Sequence, residues 1–257
     1  MRKILLALVV LSTPALALSD NPYLPASYNS IEIVPPPPGE SSVQQQRDLA
    51  EVLDVQTSRT EALIKRAESG GNYLGIVNSL GAPLNADKIP VTNAFISKVT
   101  SETSAQVDYV KDCWQRQRPF AVSKAVQPPG KQVENFRVKP GADMQAGDKK
   151  SRAMPSICPA IRPTEYSFSY PSGGASVGMT AAILLAAMVP EKSAEIHRRG
   201  REAGENRVIL GVHFPSDVAE GRLSAAAAIA VMTQNPAFTA DLADARKELR
   251  AALGYTN

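Results

Sequence analysis

The residues best suited to chemistry fall into three groups: two cations, a serine–glycine turn, and a third cation with a histidine and a carboxylate. In chain order they are Lys111, Arg118, Ser172, Gly173, Gly174, Arg207, His213 and Asp217. Guanidinium forks and a glycine turn before a helix suit a phosphate-sized oxyanion. An imidazole backed by a carboxylate suits attack on phosphorus. The sequence therefore indicates a phosphate site with a nucleophilic histidine.

The turn at Ser172 and Gly173 immediately precedes an apolar segment with the composition of a helix. A serine hydroxyl and the first free N–H groups of that helix would point at one spot, with the positive end of the helix dipole behind them. Serine followed by glycine is also ordinary N-capping. The turn becomes evidence for an anion site only together with the cations of the other two groups.

His213 is one of two histidines in the chain. Asp217 lies four residues later, in the first turn of a helix that Pro215 is expected to open, so its carboxylate can reach the imidazole. No second histidine or cysteine cluster accompanies the pair, and we therefore predict neither a metal nor another cofactor. The other histidine, His197, lies in a charged segment and is expected to face solvent.

The elements that must position these residues are helices. Apolar residues recur at helical spacing, and no β-alternation or βαβ rhythm is visible, which predicts an all-α, single-domain helical bundle. The expected helical segments are residues 44–68, 91–114, 175–189, 191–206, 215–232 and 238–253. Residues 121–170 form a long, locally basic connection rich in proline and glycine. It is either a solvated surface loop or a lid that attracts anionic substrates.

The first 17 residues have the pattern of a secretory signal peptide, with Arg2 and Lys3 before an apolar run and cleavage expected after Ala17. A membrane anchor is the weaker alternative, because the run is shorter than the ~20 residues of a spanning helix. A proline-rich lead-in is expected at 18–40 and the helical domain at 41–257. Cleavage would remove two positive charges and lower the net charge from +3 to +1. A near-neutral chain argues against a nucleic-acid partner.

The two cysteines, Cys113 and Cys158, are an even number in a chain expected to be exported, so a disulfide is one interpretation. Two buried free thiols are the other. A disulfide would link the segment of Lys111 and Arg118 to the loop that leads to Ser172.

Three spaced motifs carry a family resemblance: Lys111-x6-Arg118-Pro119, Pro171-Ser172-Gly173, and Asn206-Arg207-x5-His213-x3-Asp217. Together they resemble the signature of the type 2 phosphatidic-acid-phosphatase superfamily. More narrowly, the chain resembles the class A bacterial non-specific acid phosphatases, which are secreted to the periplasm. Segments 34–38, 81–84 and 235–238 are also similar to that subfamily. The resemblance therefore covers most of the chain after the signal peptide.

The resemblance implies a helical bundle that hydrolyses phosphomonoesters without metal and binds phosphate or vanadate in one pocket. It implies His213 as a nucleophile that forms a phosphohistidine, and Asp217 as its orienting partner. Dimers or higher oligomers are common in the family. The phosphate contacts that it implies come from Lys111, Arg118, Ser172, Gly173 and Arg207.

Gly174 departs from the family pattern. The family has a histidine there, which protonates the leaving alkoxide and later activates water, a contribution of roughly 10²- to 10⁴-fold in rate. One hypothesis is an attenuated phosphatase that still cleaves aryl esters. A second is a catalytically inactive phosphate-binding homologue, natural or engineered. A vanadate-dependent haloperoxidase ranks last, because its peroxide chemistry needs the same missing histidine.

Overall fold

The computed structural model of the protein describes residues 18–69, 73–81, 84–138, 154–160 and 162–255. Within these residues the chain forms α-helices joined by turns and short 3-10 helices, and the prediction of an all-α fold is confirmed. The α-helices are α1 (Val43–Ser58), α2 (Glu61–Ser69), α3 (Tyr73–Asn78), α4 (Pro90–Trp114), α5 (Pro119–Val122), α6 (Gly173–Met188), α7 (Ser193–Ile209), α8 (Pro215–Met232) and α9 (Pro236–Ala252). The 3-10 helices are Ser30–Glu32, Ala86–Lys88, Glu134–Phe136 and Pro190–Lys192.

Helix α6 is the centre of the bundle, and α4, α7, α8 and α9 pack around it. Its buried residues are small or aliphatic, such as Ala181, Leu184 and Leu185. Small residues let α7 approach closely: a Cβ added to Gly178 would lie 2.9 Å from the carbonyl oxygen of Gly200. Side chains here would force the helices apart, so glycine fixes the spacing between α6 and α7.

One expected helix is interrupted, and two expected helix boundaries agree with the structure. The periodic segment 44–68 is divided into α1 and α2, because Arg59 adopts an extended conformation (φ −69°, ψ 130°) after Ser58. Helix α4 continues to Trp114 as expected and ends where Gln115 takes a left-handed conformation (φ 50°). The predicted start of α8 at Pro215 agrees with the structure.

The lead-in at 18–40 packs onto the bundle. The Tyr23 side chain is 1% exposed, and its ring meets that of Phe238 edge-on at 5.3 Å between centroids. The backbone N–H of Tyr23 donates to the Glu102 carboxylate at 3.0 Å. Further along, Pro35 accepts a hydrogen bond from the hydroxyl of Tyr170. These contacts make the lead-in a part of the core.

A disulfide joins Cys113, near the end of α4, to Cys158 in the long connection. Both cysteines belong to a cluster that also contains Val110 and Tyr170. The connection is described at 121–138, 154–160 and 162–170, where it includes the 3-10 helix Glu134–Phe136. The bond therefore holds part of the connection against α4.

The expected signal peptide lies outside the described residues. Among the helices of the described part, none combines the length and the apolar character that a bilayer crossing requires.

Candidate active site

Four segments meet at one end of the bundle: the end of α4 with residues 115–118, residues 167–172 before α6, the last turn of α7, and the turn between α7 and α8. Gln115 stabilises the first of these, because its side-chain amide donates to the carbonyls of Pro159 and Ala160 at 3.2 and 3.1 Å. The N–H of Ser169 donates to the carbonyl of Arg116 at 2.8 Å. A backbone hydrogen bond thus joins the first two segments.

His213 lies between a cation and a carboxylate. Its Nε2 is 3.2 Å from Nη1 of Arg118, and its Nδ1 is 3.4 Å from Oδ2 of Asp217. A guanidinium can only donate, so Nε2 accepts and Nδ1 carries the proton. The lone pair on Nε2 is therefore the one available for attack, and it faces Arg118.

Asp217 sits at the start of α8, fully buried. Its Oδ2 accepts from the N–H of Phe214 at 2.8 Å and from the hydroxyl of Ser169, while Oδ1 accepts from Nη1 of Arg116 at 2.6 Å. Burial alone would raise the pKa of Asp217, but the hydrogen bond with His213 and the charge of Arg116 hold it at about 2. The carboxylate is therefore ionised across the pH range in which proteins are stable.

The His213 imidazole is 3% exposed. Burial, followed by the positive charge of Arg118, lowers its pKa to about 3, against the opposing effect of Asp217. A nucleophilic imidazole must be neutral, and this one stays neutral well into the acid range. Burial and the Arg207 charge also lower the pKa of Arg118, although a guanidinium remains protonated in proteins.

Lys111 supports the turn before α6. Its Nζ donates to the carbonyls of Phe168 and Ser169 at 3.2 and 3.1 Å, and to that of Pro171. Burial, and then the charge of Arg118, lowers the pKa of Lys111 to about 7. The ammonium group thus brings a positive charge to the turn while fixing its backbone, and its direct contact with phosphate stays a prediction.

Ser172 caps α6 by accepting a hydrogen bond from the N–H of Ala175 at 3.3 Å. Its own N–H donates to the carbonyl of Asp217 at 2.8 Å, which ties the start of α6 to the start of α8. The N–H groups of Gly173 and Gly174 fall in the first turn of α6, where a helix offers no internal acceptor. The capping interpretation and the anion-site interpretation therefore apply to the same turn.

Gly174 and Arg207 lie against each other. A Cβ added at Gly174 would be 2.9 Å from Cδ and 3.2 Å from Cγ of Arg207. The guanidinium continues to α2, where Nη2 donates to the carbonyl of Ala67 at 3.0 Å. The side chain of Arg207 thus occupies the space beside the glycine.

Phe136 covers part of the site from the long connection. The guanidinium carbon of Arg118 is 3.6 Å from the centroid of the Phe136 ring, and the ring meets the His213 imidazole edge-on at 6.3 Å. The neighbouring Arg137 pairs with Glu134 and Glu165. The connection therefore contributes an aromatic cover, while this basic residue is neutralised by acidic neighbours.

Sequence reasoning missed Arg116, Ser169 and Asp48. Arg116 is 7% exposed and pairs with two carboxylates. Its Nη1 is 2.6 Å from Oδ1 of Asp217, and its Nη2 is 2.7 Å from Oδ2 of Asp48. A signal for it was present: alternate residues of an extended segment point to the same side, and Arg116 precedes Arg118 by two. Arg116 donates to Asp217 and Arg118 donates to His213, so the two arginines contact opposite ends of the His213–Asp217 pair. Ser169 and Asp48 carried no comparable spacing.

The described residues contain no group of three or more histidine, cysteine, aspartate or glutamate side chains placed to hold a metal ion. The eight predicted site residues all lie on the four converging segments or in the first turn of the helix that follows, α6 or α8. The hydrogen bonds bring Arg118, His213 and Asp217 directly together. Lys111 joins them through the turn, and Arg207 through its contact with Gly174.

The chain is similar to known phosphatases. The family model described as "PAP2 superfamily" matches residues 91–239. A non-specific acid phosphatase of Providencia stuartii is 27% identical over 227 residues, which are 86% of this chain and 80% of that protein. A non-specific acid phosphatase of Salmonella typhimurium is 44% identical over 32% of each chain. An acid phosphatase of Zymomonas mobilis is 39% identical over 33% of this chain and 32% of its own.

Proposed function

The chain belongs to the PAP2 superfamily, and from this premise we propose that it is a secreted acid phosphatase that hydrolyses phosphomonoesters through a phosphohistidine on His213. The observation that carries the proposal is the buried imidazole whose unprotonated Nε2 faces Arg118. The named relatives, all acid phosphatases, support the same reaction class.

In the first step, Nε2 of His213 attacks phosphorus, the N–P bond forms, and the bond from phosphorus to the leaving oxygen breaks. Arg118 is placed to stabilise the negative phosphoryl oxygens, and the first turn of α6 adds its N–H groups. Nδ1 keeps its proton and becomes part of a cationic ring, which the Asp217 carboxylate stabilises. The leaving oxygen departs with the bonding electron pair and needs a proton unless it is a stable anion.

In the second step, water attacks the phosphohistidine, the N–P bond breaks, and phosphate leaves. This step needs a base to take the proton of the water. Gly174 offers neither the acid for the first step nor the base for the second. The neighbouring Arg207 cannot act in its place, because a guanidinium does not give up its proton in proteins. We therefore propose an attenuated enzyme.

Attenuation has a kinetic signature. An aryl phosphate such as p-nitrophenyl phosphate releases a stable anion, so the first step proceeds while the second is slow. We expect a burst of nitrophenolate close to one equivalent per active site, followed by slow turnover. Rapid-mixing kinetics measures the burst, and alkaline quenching with labelled substrate measures the acid-labile phosphohistidine.

The two histidines provide a matched control for this experiment. His213→Gln should abolish both the burst and the label, whereas His197→Gln, on the charged helix α7, should leave both intact. A burst that persists in His213→Gln would show that another residue is the nucleophile and would contradict the proposed mechanism.

The alternative is a catalytically inactive phosphate-binding homologue. The packing of Arg207 beside Gly174 favours it, because that arrangement provides cationic binding without an acid or base. Phosphate or vanadate binding with neither burst nor label in the unaltered protein would establish this alternative over the enzyme.

A further inference from the structure

Arg116 donates hydrogen bonds from all three of its guanidinium nitrogens, and the proposed reaction does not use it. Its guanidinium is buried between α1, α8 and the segment 115–118. Nη1 donates to Oδ1 of Asp217 at 2.6 Å and to the hydroxyl of Ser216 at 2.7 Å. Nη2 donates to Oδ2 of Asp48 at 2.7 Å and to Oε1 of Gln45 at 2.6 Å.

The two oxygens of the Asp217 carboxylate have different hydrogen-bond partners. Oδ1 is held by Arg116, and Oδ2 faces the imidazole, the Ser169 hydroxyl and the Phe214 N–H. A carboxylate free to rotate about its terminal torsion would exchange these two oxygens. With Oδ1 held by a charge-assisted hydrogen bond, Oδ2 stays directed at Nδ1 of His213.

Arg116 is itself fixed at its far end. Asp48 and Gln45 lie one turn apart on α1, a helix that carries none of the predicted site residues. The Phe214 ring packs against the guanidinium, with its centroid 4.1 Å from the central carbon. A planar fork can serve two carboxylates at once, which an ammonium group cannot do with the same geometry.

We propose that Arg116 is a positioning residue for the proposed phosphatase reaction, which holds the Asp217 carboxylate ionised and turned toward His213, with Asp48 fixing Arg116 in turn. Charged groups on the neighbouring elements lie around the His213–Asp217 pair, and Lys111, Arg118 and Asp217 act on the imidazole itself. The charged groups are Asp48 on α1, Lys111 on α4, Arg116 and Arg118 on the segment 115–118, Arg207 on α7 and Asp217 on α8. Arg116 is distinguished among them by bonding the carboxylate that orients the ring.

The test uses Arg116→Lys and Arg116→Met in the full chain, with Arg198→Met as control. Arg198 also pairs with two carboxylates, Glu195 and Glu202, but on the exposed face of α7. We expect the burst rate with p-nitrophenyl phosphate to fall roughly ten- to a hundredfold in both Arg116 variants, the size typical of misplaced catalytic groups. Affinity for inorganic phosphate should change less than about threefold, since Arg116 faces away from the His213 lone pair.

A second readout follows the imidazole directly. With two histidines, the NMR titration contains two imidazole signals, and His197→Gln assigns them. Removing the Arg116 charge leaves Asp217 more strongly attractive to an imidazolium, so the His213 midpoint should rise by about one pH unit or more in Arg116→Met. Arg198→Met should leave it in place.

If Arg116→Met does not fold, Asp48→Asn serves instead, because it loosens the far end of Arg116 without removing its charge. We then expect a lower burst rate with phosphate affinity retained. An unchanged His213 midpoint and burst rate in folded Arg116 variants would overturn the proposal. If the unaltered protein forms no phosphohistidine, the phosphatase function fails, while the His213 midpoint still decides whether Arg116 controls the pair.

Discussion

At position 174 the glycine leaves space beside α6, and the aliphatic part of Arg207 fills it. This packing determines what a histidine introduced at that position would meet. Its Cβ would be 2.9 Å from Cδ of Arg207, which is closer than real Cβ atoms approach a neighbour. Because Arg207 is a flexible side chain whose guanidinium contacts the carbonyl of Ala67, it can move aside when that bond is given up.

We predict that Gly174→His raises the hydrolysis of alkyl phosphates by at least ~10²-fold, which is the low end of a general-acid contribution. It should also remove the burst with aryl phosphates, because the second step gains a base. Gly174→Ala is the matched control: it displaces Arg207 in the same way and supplies no proton. Equal alkyl phosphate rates in the two variants would show that position 174 is not what limits turnover.

The limits of sequence reasoning are clearest at single residues. His213 and Asp217 were identifiable because their four-residue spacing and Pro215 fix their relation locally. Asp48 and Arg116 lie 68 residues apart, and their ion pair depends on how α1 packs across the site. The contact of Arg207 with Gly174 is equally a matter of tertiary packing. Spacing along the chain does not report either contact.

Among the elements, the approach of α8 to the start of α6 is the closest contact that bears on the site. A Cβ added at Gly221 would lie 2.3 Å from the carbonyl oxygen of Ser172 and 3.2 Å from Cβ of Ala175. A backbone oxygen cannot rotate away as a side chain can. A side chain at this position must therefore move α8, which carries Asp217, away from Ser172 and the start of α6.

We predict that Gly221→Ala lowers the free energy of unfolding by about 1–3 kcal/mol, as overpacking typically does, and also lowers the burst rate. Gly39→Ala is the control, since nothing lies within 4 Å of a Cβ placed there. Denaturant unfolding of the two variants measures the difference. Equal denaturation midpoints in the two variants would show that α8 can move relative to α6 without loss of stability.

Helix periodicity predicted most of the long elements but not their interruptions. The division between α1 and α2 falls at Arg59 and Thr60, neither of which is a strong helix breaker. Arg59 donates to the carbonyls of Ile209 and Gln127, contacts that favour its extended conformation. Tertiary hydrogen bonds thus override local propensity. The short helices α3 and α5 are too brief for a periodic signal.

At the scale of the whole molecule, burial of the site in the bundle is expected to set the pH range of the proposed reaction. Burial is the largest cause of the lowered pKa values of both His213, at about 3, and Lys111, at about 7. His213 is a competent nucleophile only when neutral, above its pKa. Lys111 carries its charge only below its own pKa. The free protein therefore holds both required forms between about pH 3 and about pH 7.

We predict a bell-shaped pH dependence of kcat/KM for p-nitrophenyl phosphate, with an alkaline limb near pH 7 from loss of the Lys111 charge. In Lys111→Arg the guanidinium stays protonated, so the alkaline limb should move to higher pH even if the maximum falls. The acid limb, which belongs to His213, should stay in place. An alkaline limb at the same pH in both proteins would assign it to another group, such as the substrate.

The disulfide between Cys113 and Cys158 makes residues 113–158 a covalent ring. Arg116, Arg118 and Phe136 all lie on this ring. A protease that cut the chain once anywhere between the two cysteines would leave its two pieces covalently attached, with Lys111 on one piece and His213 on the other. Such a nicked protein would run as two fragments only after reduction, and the two halves of the proposed site could not diffuse apart while the bond lasted.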